Sequence, residues 1–259
     1  MISVIILAII QALTEFIPVS SSGHLIAAEE LTSLTSSLAL DVALHFGTLL
    51  ALLVYFGPRI KSILTDLKGN QGLLINLVLT SIPAAALGFF LEDVFAEDAR
   101  ALGVVIVMMA TVGFIMLFSE TAFKVNKRIK KIEQIKPSSA FIIGLGQALA
   151  LIPGTSRSGI TMLAGKQTGL SNKLAAEYAF LAGIPVIAGA TLKVFVDPDT
   201  NAVLQDEPLR VLVGVVVAAV VGLFALRFLI QYLSEKGLRV FGWYRLALAA
   251  VLFVIWINQ

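Results

Sequence analysis

Two short segments carry the residue types that chemistry would need. In the first, Glu15 precedes Ser21 by six residues and His24 follows it by three. A serine hydroxyl is a poor nucleophile until a base takes its proton, and histidine is the usual base near neutral pH. A hairpin here would bring Glu15, Ser21 and His24 together; the plainer reading is a polar turn capped by His24. The second segment is Gly154-Thr155-Ser156-Arg157-Ser158-Gly159. Glycines let backbone N–H groups approach an anion, serine hydroxyls add donors, and arginine grips phosphate oxygens bidentately. The plainer reading pairs Arg157 with Glu15 or Glu177 for packing alone. The Gly-Lys-Ser/Thr ending of a nucleotide-binding loop is absent. A nucleophile–base loop facing an oxyanion cradle points to phosphoryl transfer more than either does alone.

Other ionisable groups lie in the same apolar surroundings. Asp41 and Glu177 read as structural, neutralising Arg157 and Lys166, with metal binding as the alternative. His24 and His45 are the only histidines. Gln11 and Glu15, with phosphate oxygens, offer hard ligands suited to Mg²⁺ or Ca²⁺, and no zinc-type cluster occurs. Glu29, Glu30 and the pair Tyr244-Arg245 read as interfacial.

The elements that must position these groups are set by composition. Hydrophobic residues make up 58% of the 259 residues, charged residues 14%, and mean hydropathy is +0.93. Soluble domains carry about 25% charged residues, so this chain requires a bilayer as solvent. A net charge of +2 gives no ground for a nucleic-acid partner. The absence of cysteine excludes disulfides, thiolate metal sites and cysteine nucleophiles. The N-terminus lacks a basic stretch and a small-residue cleavage site, so no cleaved signal peptide is expected.

A crossing needs about 20 mostly apolar residues. Six runs qualify, at 38–56, 73–91, 101–119, 174–196, 209–230 and 240–257. Two further apolar stretches, 2–19 and 140–152, run into the Ser/Gly segments and then into another moderately apolar piece. A half-helix, a break and a second half-helix predict a re-entrant hairpin, which survives at depth only when buried in protein or lining a wet cavity. The expected fold is therefore an all-α polytopic membrane protein, with six transmembrane helices and two re-entrant hairpins.

Loop charge orients it. The loops 57–72, 120–137 and 231–239 hold eleven Lys and Arg residues. The loops carrying Glu92, Asp93, Glu97, Asp98 and Asp197, Asp199, Asp206, Glu207 hold only Arg100 and Arg210. The positive-inside rule puts the eleven in the cytoplasm. Both termini then lie outside, and the two re-entrant loops enter from opposite faces.

The halves also match each other. At an offset of 136 residues Gln11-Ala12-Leu13 falls on Gln147-Ala148-Leu149, Ser20 on Ser156, Ser22 on Ser158 and Gly23 on Gly159. The same offset carries Asp41 onto Glu177, Gly47 onto Gly183, and each first-half span onto a second-half span. One domain, 1–259, thus divides into repeats at about 1–119 and 137–257, joined by the basic segment 120–136. Three spans per half invert the second copy, an arrangement that places a site near the midplane.

The segment from Gln11 through Glu15 and Pro18-Val19-Ser20-Ser21-Ser22-Gly23-His24 closely resembles the first motif of the bacitracin-resistance type undecaprenyl pyrophosphate phosphatases. Pro153-Gly154-Thr155-Ser156-Arg157-Ser158-Gly159 resembles their second motif. The resemblance covers essentially the whole chain. It implies hydrolysis of undecaprenyl pyrophosphate to undecaprenyl phosphate in a bacterial inner membrane, recycling the lipid carrier for cell-wall synthesis. It further implies bacitracin resistance, the antibiotic competing for the same lipid. By that resemblance Ser21 is the nucleophile, His24 its acid/base partner, and Glu15 a third essential residue. Arg157 would hold the pyrophosphate with Ser156, Ser158, Gly154 and Thr155. A divalent cation, Mg²⁺ or Ca²⁺, would sit on Glu15 and Gln11, where many members carry glutamate at position 11. With the first loop entering from outside, the site is expected to open extracytoplasmically.

A lipid-phosphate transporter or flippase is the rival, favoured by inverted repeats and broken helices. Against it, only the first loop holds Glu and His and only the second holds Arg. A homodimer is compatible with the chain.

Overall fold

The computed structural model describes residues 1–31, 37–90, 101–196 and 207–258, all in helices and short connections. The first Ser/Gly segment separates α1 (Ile2–Phe16) from α2 (Ser21–Leu31). There follow α3 (Leu38–Tyr55), α4 (Gly57–Thr65), α5 (Gln71–Phe90) and α6 (Leu102–Ala122). A 3₁₀ turn, Ile132–Gln134, leads to α7 (Pro137–Leu149); the second Ser/Gly segment separates this from α8 (Arg157–Gln167). The chain ends with α9 (Asn172–Val196), α10 (Pro208–Lys236) and α11 (Arg239–Ile257).

Helices α5, α6, α9, α10 and α11 are each long and apolar enough to cross a bilayer, and α3 with α4 makes a sixth. These fall on the six apolar runs. Their outer faces carry exposed Val78, Phe114, Leu212, Phe224 and Phe228. An apolar surface this extensive is not tolerated in water, so the protein is a multi-pass membrane protein. Proline opens α4, α7 and α10 at their first turns, where its missing N–H costs nothing.

One connection differs from expectation. Residues 57–72, expected as a basic loop, form helix α4 as far as Thr65, bent by 65° from α3 at Phe56. Ile63 is buried, and Arg59 reaches Glu133 beside the 3₁₀ turn. Amphipathic residues here give a helix that need not cross. The acidic residues at 92–98 and 197–206, and the side chains of Glu29 and Glu30, lie outside the described residues.

The most extensive packing joins α6 to α11, α3 to α10, α5 to α7 and α1 to α10, while α9 touches α3, α5, α8 and α10. Lipid supplies no hydrophobic drive between helices, so close approach depends on small residues. Gly113 and Gly242 face each other: a Cβ on Gly242 would lie 2.7 Å from the Gly113 carbonyl oxygen. A Cβ on Gly47 would lie 2.6 Å from the Val215 carbonyl oxygen, bringing α3 equally close to α10. Buried polar groups find partners across helices: Tyr178 Oη lies 2.7 Å from Thr80 Oγ1 and donates to Asn76 O at 3.0 Å.

The buried cations choose unexpected partners. Lys166, 3% exposed, pairs with Glu120 Oε2 at 2.7 Å, and Glu177 lies 3.9 Å from Lys173 on the preceding turn. Glu177 therefore does not neutralise Arg157 or Lys166. It stands one turn from Lys173 on α9, whereas Lys166 at the end of α8 meets the end of α6. Asp41 is half-buried in the first turn of α3.

Candidate active site

Both breaks turn through the same strained residue type. Ser20 and Ser156 have φ of 78° and 70°, and they are the two non-glycine residues with positive φ among those described. Such backbone costs roughly 1–3 kcal/mol and concentrates at functional sites. Each serine offsets part of that cost by capping the following helix. Ser20 Oγ accepts from Gly23 N at 3.3 Å and lies 3.2 Å from Ser22 Oγ. Ser156 Oγ accepts from Gly159 N at 3.2 Å and lies 3.3 Å from Ser158 Oγ. A side chain on either glycine would have to displace a methionine of α6: a Cβ on Gly23 would be 2.8 Å from Met109 Sδ, and one on Gly159 2.6 Å from Met116 Cε. Both turns are thereby pressed onto α6.

The N-termini of α2 and α8 border one cavity of about 260 Å³, lined by Glu15, Ser21, His45, Ser156, Arg157 and Thr191 among others. Two helix N-termini, with their unpaired N–H groups, make a cavity suited to an anion. At its wall Ser21 Oγ donates to Glu15 Oε2 at 3.1 Å. The other carboxylate oxygen, Oε1, accepts from Arg157 Nη2 at 2.8 Å. Gln11 Nε2 donates to Glu15 Oε2 at 3.1 Å, and His45 Nδ1 stands 3.4 Å from that oxygen. Glu15 is the hub, joining the serine of the first segment to the arginine of the second.

The remaining site candidates stand elsewhere. His24 Nδ1 donates to Ser20 O at 2.7 Å, and Nε2 lies 2.7 Å from Tyr244 Oη with the rings stacked. A carbonyl accepts only from a protonated Nδ1, so in the neutral ring Nε2 accepts the hydrogen bond of the tyrosine hydroxyl. His24 thus links the Ser20 turn to α11, and the group hydrogen-bonded to Ser21 Oγ is Glu15. Gly154 (φ 87°) packs against the Val105 backbone, and its N–H donates to Ser22 Oγ at 3.2 Å. Thr155 and Ser158 are fully enclosed. Of the five cradle residues, Ser156 and Arg157 reach the cavity, and the other three build the turn behind it.

Three residues outside the expected set belong to this region. His45 of α3 faces the cavity; its position among apolar residues was its only signal. Thr191 of α9 is 3% exposed, lines the cavity, and its hydroxyl has no protein partner. Arg245, expected at the interface, is completely buried behind both breaks.

The cation implied by the family pattern can be tested against these groups. Among the described residues no three His, Cys, Asp or Glu side chains gather as a metal cage. Gln11 Oε1, however, is buried without a partner, one helical turn from Glu15. Two hard oxygens, with more from a bound pyrophosphate, fit Mg²⁺ or Ca²⁺, which keep most of their ligands from substrate and water.

Comparison with known proteins identifies the family. The undecaprenyl-diphosphatase of Halothermothrix orenii is 38% identical over 242 residues, covering 93% of this chain and 92% of the relative. That of Thermodesulfovibrio yellowstonii is 37% identical over 255 residues, covering 97% and 96%. The Rubrobacter xylanophilus protein of the same name is 38% identical over 261 residues, covering 95% of each. Residues 4–251 match the family described as Bacitracin resistance protein BacA, which takes in both breaks and every helix lining the cavity, and it is to this family that the chain belongs.

Proposed function

We propose that this membrane phosphatase hydrolyses undecaprenyl pyrophosphate to undecaprenyl phosphate and inorganic phosphate. The observation that carries the reading is Glu15, held at once by Ser21 and Arg157 where two helix N-termini meet. The relatives named undecaprenyl-diphosphatase support the substrate. A carrier moving lipid phosphates has no use for a serine hydroxyl bonded to a carboxylate beside an anion cradle.

In this mechanism the pyrophosphate enters the cavity, and the polyprenyl tail stays among the apolar helix faces. Arg157, at the cavity wall, binds the phosphoryl oxygens. Ser156 and the first-turn N–H groups of α2 and α8 add donors. Ser21 Oγ attacks the terminal phosphorus, and its proton passes to Glu15 Oε2, the acceptor already 3.1 Å away. The bond from phosphorus to the bridging oxygen breaks, and that oxygen leaves on the polyprenyl phosphate. Water then attacks the phosphoserine, Glu15 returns its proton to Ser21 Oγ as the phosphorus–Oγ bond breaks, and phosphate leaves with the water's oxygen while the remaining proton passes to solvent. His24 holds the Ser20 turn that aims Ser21. Glu15 and Gln11 Oε1 would hold a divalent cation, which would supply charge neutralisation for the pyrophosphate.

The two helix–break–helix units are read as re-entrant hairpins of an inverted repeat, 1–119 and 137–257 joined by 120–136. The 136-residue offset supports this, as do the matched strained serines. Exchanged packing supports it too: α1 lies on α10 as α7 lies on α5, and α3 on α10 as α9 on α5. The basic connections support a bacterial inner-membrane location with the cavity opening extracytoplasmically. There the product re-enters the carrier pool for cell-wall synthesis, and bacitracin competes for the substrate.

The test is phosphate release from undecaprenyl pyrophosphate by purified protein in detergent with Mg²⁺. Wild type should release phosphate, and Ser21→Ala and Arg157→Ala should not. A folded wild type that releases none with Mg²⁺ or Ca²⁺ would make lipid-phosphate transport the leading reading.

A further inference from the structure

Arg245 has no place in the steps above, yet it heads the large, completely buried side chains among the described residues. Among the described residues no carboxylate pairs with it. Its partners are four backbone carbonyls from three places. Nε donates to Met109 O at 3.3 Å and Nη2 to Met108 O at 3.3 Å, both on α6. Nη1 donates to Pro18 O at 3.4 Å, inside the first break, and Nη2 to Gly154 O at 2.7 Å, inside the second. One planar guanidinium thus spans both breaks and the helix they rest on.

Burying an arginine in a membrane is expensive, and packing alone does not require it. The surrounding sequence is arranged to admit it. Gly113 and Gly242 bring α6 and α11 together, and a Cβ on Gly113 would meet Arg245 Cβ at 3.0 Å. Gly154, at positive φ, turns its carbonyl to Arg245 while its N–H meets Ser22 Oγ. The neighbouring residue, Tyr244, holds His24 of the first hairpin. Breaks in a helix free carbonyls that lipid cannot satisfy, and a guanidinium has enough fixed donors to satisfy several at once.

We infer that Arg245 is a positioning residue that sets the register between the two breaks, and so between Ser21 with Glu15 on one side and Arg157 on the other. The inference rests on the phosphatase reading for its kinetic consequence but not for its structural one. A methionine at 245 fills similar volume and leaves the carbonyls of Pro18 and Gly154 unbridged. A lysine keeps the charge but, as a point donor, cannot span both breaks.

The experiment uses the full chain in detergent, with kcat and KM for undecaprenyl pyrophosphate measured in wild type, Arg245→Met and Arg245→Lys. A misplacement of about 1 Å costs on the order of 100-fold in rate, so kcat should fall about 100-fold in Arg245→Met. Arg245→Lys should fall between, and KM should move little in either. Because the chain has no cysteine, spin labels at exposed Leu13→Cys and Leu149→Cys report the separation of the helices leading into the breaks. That distance distribution should be narrow with Arg245 and broaden in both variants. Wild-type kcat in Arg245→Lys, or an unchanged distance distribution, overturns the inference. If wild type releases no phosphate, the phosphatase reading fails while the label distances still decide the role of Arg245.

Discussion

The guanidinium of Arg157 occupies the space that a side chain on Gly183 would fill. A Cβ built on Gly183 would overlap Arg157 Nη1 and crowd its Cζ, so α9 has a notch where α8 presents its arginine. Gly183→Ala should push the guanidinium out of that notch without disturbing the Ser21–Glu15 hydrogen bond. Phosphate release should fall on the order of 100-fold, as for a misplaced binding group, with melting temperature nearly unchanged. Normal kcat/KM in Gly183→Ala would show that Arg157 is not held where the reaction needs it.

Two of the duties of Glu15, accepting a proton and pairing with Arg157, can be separated by substitution. Glu15→Gln keeps the shape but removes the proton acceptor at Ser21, and loss of a general base costs about 10²–10⁴ in rate. It also leaves Arg157, whose side chain is 14% exposed, without its anion. Removing one partner of a buried pair costs roughly 3–5 kcal/mol when burial is complete, and less here. Adding Arg157→Met to Glu15→Gln should therefore recover melting temperature while activity stays lost. A double variant no more stable than Glu15→Gln would mean the pair does not carry that stability.

Much of this was legible in the sequence, for a physical reason. Spans are continuous apolar runs, and the breaks are Ser and Gly where a helix would otherwise continue, so both show in local composition. Partners were harder to see. Ser21 and His24 are three residues apart, which suggests contact, but α2 turns His24 onto Tyr244, 220 residues away, while Glu15 arrives from α1. Arg245 was read as interfacial because its partners are carbonyls, and backbone acceptors leave no residue-type signal. The Ser21 and Arg157 positions coincide at the 136-residue offset, where one segment carries a hydroxyl and the other a guanidinium.

His24 offers a test of bracing against proton transfer. His24→Asn retains a donor able to reach the Ser20 carbonyl, and His24→Ala does not. Activity should therefore be higher in His24→Asn than in His24→Ala, and Tyr244→Phe should cost less than either. Equal losses of 100-fold or more in both His24 variants would assign His24 to proton transfer instead, at the 10²–10⁴ scale expected of an acid or base.

The buried amide oxygen of Gln11 tests the cation. Chelation of divalent ions should abolish phosphate release, and Mg²⁺ or Ca²⁺ should restore it. Gln11→Glu supplies a stronger hard ligand and should lower the Mg²⁺ concentration needed for half-maximal rate. Gln11→Leu removes the oxygen whose lack of a protein partner marked it, and should raise that concentration roughly 10–100-fold, the scale seen when groups around a metal are lost. The rate at saturating Mg²⁺ should change far less than the half-maximal concentration, because Ser21, Glu15 and Arg157 remain in place. A Gln11→Leu enzyme with unaltered cation dependence would remove position 11 from the metal site and leave Glu15 as its only protein ligand.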